Sequence, residues 1–71
     1  MKAFNLKKAI SGEPIVDQFG NRIKFIAHVP EAVEHNRVAY LSNMGYVLAV
    51  GENGCPFSSG QYWHPALYMA D

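Results

Sequence analysis

Val38-Ala39-Tyr40-Leu41, Ser42-Asn43-Met44-Gly45 and Tyr46-Val47-Leu48-Ala49-Val50 run on without a break, and their reading decides the fold. Two apolar runs flank a cluster of turn-forming residues, which is the pattern of a β-hairpin. Val38, Tyr40, Tyr46, Leu48 and Val50 fall on one face, and Ala39, Leu41, Val47 and Ala49 on the other. Both faces are apolar, so this hairpin is expected to be central or covered on two sides. Arg37 opens it, and Glu52-Asn53-Gly54 ends it.

Upstream, Pro14 to Val29 reads as a first hairpin. Gly20-Asn21 is a glycine-first turn signal. With those two at the tip, Phe19 faces Arg22, Asp17 faces Lys24 and Ile15 faces Ile26. Ile23, Phe25, Ala27 and Val29 then share one face, while Lys24, Ile26 and His28 share the other. Glu31 to Glu34 has the makings of one helical turn behind Pro30. Ala66 to Ala70 reads as a short final strand, with Leu67 and Met69 opposite in face to Tyr68.

Phe4 to Pro14 reads as a capped helix. Asn5 is a good N-cap, because its side-chain oxygen can accept an orphan backbone N–H. Leu6, Ala9 and Ile10 fall on one face at helical spacing. Gly12 suits the left-handed position after the helix, and Pro14 stops its resumption. The expected architecture is α+β: one short N-terminal helix on an antiparallel sheet of four to five strands, as a single domain. A two-turn helix is roughly 10 Å long and cannot roof such a sheet. The uncovered apolar surface is therefore expected to meet a second copy, another partner or a ligand.

Composition narrows the classes. With 71 residues the core is thin, and chains of this size lean on disulfides, metals or self-association. Cys55 is the only cysteine, so an internal disulfide is excluded. His28, His35 and His64 do not stand at metal-ligand spacing with Cys55, so no metal and no cofactor is expected. Self-association is left as the expected support, giving a homodimer or higher oligomer. Six basic and six acidic residues cancel, which argues against duplex nucleic acid as a partner. No apolar run is long enough to span a membrane, and the N-terminus lacks the apolar run of a signal peptide. A cytosolic protein is expected.

The richest chemistry lies between the two last strands: Phe57-Ser58-Ser59-Gly60-Gln61-Tyr62-Trp63-His64. Ser58 and Ser59 hydroxyls can hold phosphate oxygens, Tyr62 or Trp63 can stack on a base, and His64 can donate to a phosphate. The competing reading is a tight turn in which Trp63 caps the core. Arg37 can grip a phosphate bidentately; the competing reading is a solvated strand start paired with Glu31 or Glu34. Tyr40, Tyr46, Leu48, Phe57 and Tyr68 are expected at an interface, because tyrosine and apolar side chains concentrate there. Core packing is the competing reading for the same residues. No catalytic set emerges. Cys55 and His64 lack an orienting third group, and Cys55 reads instead as a small buried filler. Asp17, Glu13 and Glu52 lie on separate turns and strand ends, with nothing to pair them.

The opening Phe4-Asn5-Leu6, Ala9, Gly12-x-Pro14-Ile15-Val16, followed by Gly20 and Arg22-Ile23, resembles a group of small phage and prophage proteins. These open on Phe-Asp-Leu, a short helix and Gly-x-Pro-Val, and close on an Asp-Leu-Phe-Met-like strand, to which Ala66-Leu67-Tyr68-Met69 is similar. Phe19-Gly20 stands where Asp-Gly is usual, and Ala66 where Asp is usual. The size and helix-then-sheet plan also resemble phage anti-defence proteins that sequester nucleotide immune signals as small oligomers. That resemblance implies a non-enzymatic binder holding a nucleotide-derived molecule between subunits. In that picture the residues read above for their chemistry, Arg37, Ser58, Ser59, Tyr62, Trp63 and His64, are the expected contacts. The alternative is a small phage protein that inhibits a host nuclease, polymerase or defence effector by direct binding.

Overall fold

A computed structural model describes residues 2–56 and 65–70. The chain is α+β, with one short helix and an antiparallel sheet. The strands are β1 (Lys2–Ala3), β2 (Ile15–Asp17), β3 (Arg22–His28), β4 (Val38–Leu41), β5 (Val47–Val50) and β6 (Leu67–Met69). Helix α1 spans Leu6–Ile10, and a short 3-10 turn occupies Glu34–Asn36. That turn sits later than the expected helical turn behind Pro30. Among the described residues the sheet has six strands in the order β1-β6-β2-β3-β4-β5, against an expectation of four to five. The additional strand is β1, which pairs Lys2 with Met69 and Ala3 with Tyr68. Two residues are too few to carry an alternating pattern, so nothing in the sequence marks it.

Helix α1 forms as its signals require. Asn5 Oδ1 accepts the Lys8 N–H at 3.1 Å, and the chain turns out of the helix at Gly12 with φ +99°. Ala9 is buried in the core, with Phe4 and Leu6 packed against it. Ile10, expected on the same face, is 53% exposed at the last turn.

The first hairpin differs in register from the expected pairing. Ile15 faces Ile23 and Val16 faces Arg22, and the Asp17 N–H donates to Asn21 O at 2.9 Å. The loop is therefore Gln18-Phe19-Gly20, a three-residue loop closed by a glycine at φ +83° rather than a two-residue tip. The cause is Asp17. Its Oδ1 accepts the N–H groups of both Phe19 and Asn21 at 2.9 Å, and this anchoring is stronger than a cross-strand pair with Lys24. The register puts Ile15 on the face of Ile23 and Phe25 and leaves Ile26 outside, 46% exposed.

The second hairpin matches its reading in register: Val38 faces Val50, Ala39 faces Ala49, Tyr40 faces Leu48 and Leu41 faces Val47. It is not covered on two sides as expected, because β5 comes last in the strand order and Val47 stands exposed on the outer face. Between β3 and β4 the register slips at Ile26, since Phe25 faces Tyr40 while Ala27 faces Ala39. One extra residue reverses the facing of the residues after it. His28 therefore faces Val38 and joins the inner side of the sheet, instead of sharing a face with Lys24 and Ile26.

The order of the strands puts β5 at one edge, yet Leu67 N of β6 donates to Gly54 O, just beyond β5, at 2.8 Å. A sheet that bonds near both of its edges in this way has curled on itself. The core lies inside the curl: Ile15, Val38, Tyr40, Val50, Leu67 and Met69, with Ala9 closing one opening. Strands, more than the helix, shelter the inner face. Among the described residues the large exposed apolar side chains are scattered over the hairpin tips, the outer face, the β3–β4 connection and the end of α1.

Candidate functional site

The β4–β5 register places the start of β4 beside the turn after β5. Arg37 stands at the first place and Glu52 at the second. Arg37 Nε donates to Ala32 O at 2.9 Å, which fixes the guanidinium against the β3–β4 connection. Its Nη1 lies 3.6 Å from Glu52 Oε1. The β3 bulge delivers the third member, and His28 Nε2 lies 2.6 Å from Glu52 Oε2. Glu31 and Glu34, the acids near Arg37 in sequence, are not the residues that pair with it.

The Glu52 carboxyl is held below the ordinary glutamate value. The hydrogen bond from His28 is the main cause; desolvation opposes it, and the positive charges of Arg37 and His28 add to the lowering. Beside this triad opens a cleft of about 280 Å³, walled by Glu34, His35, Arg37 and Glu52 and by Gly51, Asn53, Cys55 and Pro56. Cys55 is exposed on it, contrary to its reading as a buried filler, because the turn after β5 carries it outward.

A second cleft, of about 320 Å³, lies between the two hairpin tips. Phe19, Met44 and Tyr46 stand over it, 62%, 74% and 64% exposed. Asn21 and Asn43 supply amides, and Leu48 and Pro65 the floor. The two tips are built alike. Ser42 Oγ accepts the N–H groups of Met44 and Tyr46 at 3.3 and 3.1 Å, just as the Asp17 carboxylate accepts those of Phe19 and Asn21. The two clefts lie at opposite ends of β4, on the order of 15 Å apart at the rise of a strand.

Of the residues singled out for ligand contact, Arg37 lies on the first cleft. Ser58, Ser59, Tyr62, Trp63 and His64 lie outside the described residues, as does Phe57 of the interface set. Tyr40 is corrected: it is fully buried within its own chain, and its hydroxyl donates to Pro65 O at 3.3 Å. Tyr46 is exposed at a hairpin tip. Leu48 is half-buried on the inner face opposite Tyr40, and Tyr68 is half-buried on the other face, opposite Ala3 and Val16. These residues form no single surface, because the curl turns one side of the sheet inward. His28 and Glu52 were missed as partners of Arg37. The β4–β5 register carried the signal for Glu52; the bulge that brings His28 has no compositional mark.

Among the described residues no group of three or more His, Cys, Asp or Glu side chains is placed to hold a metal ion. No helix among them is long and apolar enough to cross a membrane. No family model, curated protein or solved structure matches the chain.

Proposed function

We propose that the chain is a phage-encoded, non-enzymatic binding protein that counters host antiviral defence in the cytosol by sequestering a nucleotide-derived signal, as a homo-oligomer. The phage origin rests on the resemblance at the two chain ends. The observation that supports binding is the Arg37 cleft. A guanidinium already oriented by Ala32 O, with His28 close by, faces an open space whose wall ends at Pro56. The sequence then runs directly into Ser58, Ser59, Tyr62, Trp63 and His64, the residues suited to phosphate and base. The test is thermal denaturation with a panel of cyclic di- and trinucleotides and ADP-ribose derivatives. A true ligand at a hundred times its dissociation constant adds about 2.7 kcal/mol of stability. Arg37→Ala is expected to remove most of that gain. A flat response to the whole panel defeats the reading.

The hairpin tips favour a second reading, direct inhibition of a host protein. Exposed Phe, Met and Tyr side chains beside asparagine amides are the composition of a protein-binding centre. In that case purified chain captures one host protein from lysate, Tyr46→Ser abolishes capture, and the response to nucleotides is absent.

A further inference from the structure

Glu52 sits between His28 and Arg37. Its two oxygens are divided between donors from different strands: Oε2 at 2.6 Å from His28 Nε2 and Oε1 at 3.6 Å from Arg37 Nη1. Donors that converge on both oxygens of one carboxylate also converge on two oxygens of a phosphate, the other oxyanion that arginine binds through paired N–H groups. Arg37 keeps its orientation without Glu52, because its Nε is bonded to Ala32 O. Glu52 is the looser member. Its side chain is 42% exposed on a turn.

We propose that His28 and Arg37 form a phosphate-binding site that Glu52 occupies as an internal competitor, so that a phosphate or phosphodiester binds by displacing this carboxylate into solvent. The inference rests on the nucleotide-binding reading for the identity of the natural ligand, while the site itself is defined by the two donors. No bond is made or broken; one oxyanion replaces another. The remaining titratable groups on the cleft are Glu34, His35 and Cys55. Glu34 opposes any incoming anion, so Glu52 is not the only negative charge the ligand meets.

The test is calorimetric titration of the full chain with pyrophosphate. Glu52→Gln keeps the side-chain volume and removes the charge, and is expected to bind about fivefold tighter than the parent, the scale of one exposed ion pair. Adding His28→Ala or Arg37→Ala to Glu52→Gln is expected to abolish the gain. Equal or weaker binding by a folded Glu52→Gln chain overturns the proposal, as does a gain that survives loss of both donors. Should the variants not fold, carboxyl NMR of the unaltered chain decides. Saturating pyrophosphate must move the Glu52 titration up towards the ordinary glutamate value, and an unmoved titration refutes displacement. The two readings fail separately. A fivefold gain with pyrophosphate alongside a flat nucleotide panel leaves the site standing without the function. A positive panel with no gain leaves the function and removes this site.

Discussion

Among the described residues Tyr40 is the largest side chain wholly enclosed by the chain. Burial pushes its phenol up to about 12 from 10, and the negative charge of Asp17 adds to the effect. The folded state thus prefers the neutral phenol. Its contribution is complete below the ordinary tyrosine value and is lost as pH rises through the folded one. Urea midpoints measured across alkaline pH are expected to fall between pH 10 and 12, and Tyr40→Phe is expected to flatten that fall. At neutral pH the same substitution is expected to cost about 1 kcal/mol for the lost hydrogen bond to Pro65. An unchanged alkaline slope in Tyr40→Phe would assign the titration to another group. The competing reading of Tyr40 as core was open in the sequence, since inward and interface tyrosines have the same alternation. Arg37 was likewise legible as a chemical group but not by its partner. Sequence proximity suggests Glu31 or Glu34, whereas pairing of Val38 with Val50 brings Glu52.

At the scale of elements, one local device recurs. Asp17 to Asn21, Ser42 to Tyr46 and Gly51 to Cys55 are each closed by the N–H of the first residue donating to the carbonyl of the last. Each carries glycine at its fourth place with positive φ: Gly20, Gly45 and Gly54. An acceptor side chain at the first place, as in Asp17 and Ser42, or at the third, as in Asn53, takes the N–H of the fifth residue. This spacing was visible in the sequence, but Gly20-Asn21 is also a two-residue turn signal, and only the carboxylate of Asp17 separates the two. Gly20 and Gly54 have the same φ of +83°, but a Cβ on Gly20 meets nothing within 4 Å, while one on Gly54 falls 2.8 Å from Phe4 Cβ. Gly20→Ala is therefore expected to cost only the left-handed penalty, about 1–2 kcal/mol. Gly54→Ala is expected to lose about 1–3 kcal/mol more through overpacking. Denaturant unfolding of the two variants side by side measures the difference, and equal losses would show that Phe4 yields freely. The bulge at Ile26 had no such signature, because it is set by how β3 and β4 meet and not by a residue type.

At the scale of the molecule, the helix-plus-antiparallel-sheet class and both hairpins were legible from apolar alternation and turn residues. The curl was not, because closure depends on a bond between Gly54 and Leu67, residues far apart in sequence. Curling also changes the argument from uncovered surface. The inner face needs no second copy, and among the described residues the strongest exposed apolar group is the hairpin-tip set of Phe19, Met44 and Tyr46. Self-association, proposed here with the sequestering function, is therefore expected to run through those tips. Sedimentation equilibrium is expected to show a dimer or larger species, and Met44→Ser with Tyr46→Ser is expected to shift it towards monomer. A parent chain that sediments as a monomer at every concentration removes this part of the proposal.

The bond from Leu67 N to Gly54 O, 2.8 Å long, means that the chain leaves the sheet and re-enters it at a single point. Gly54 and Leu67 are thus two fixed ends on the sheet, and doubling the length of chain between such ends adds only about 0.6 kcal/mol of closure cost. The scaffold can therefore accept a foreign cassette there while its strand pairing stays the same.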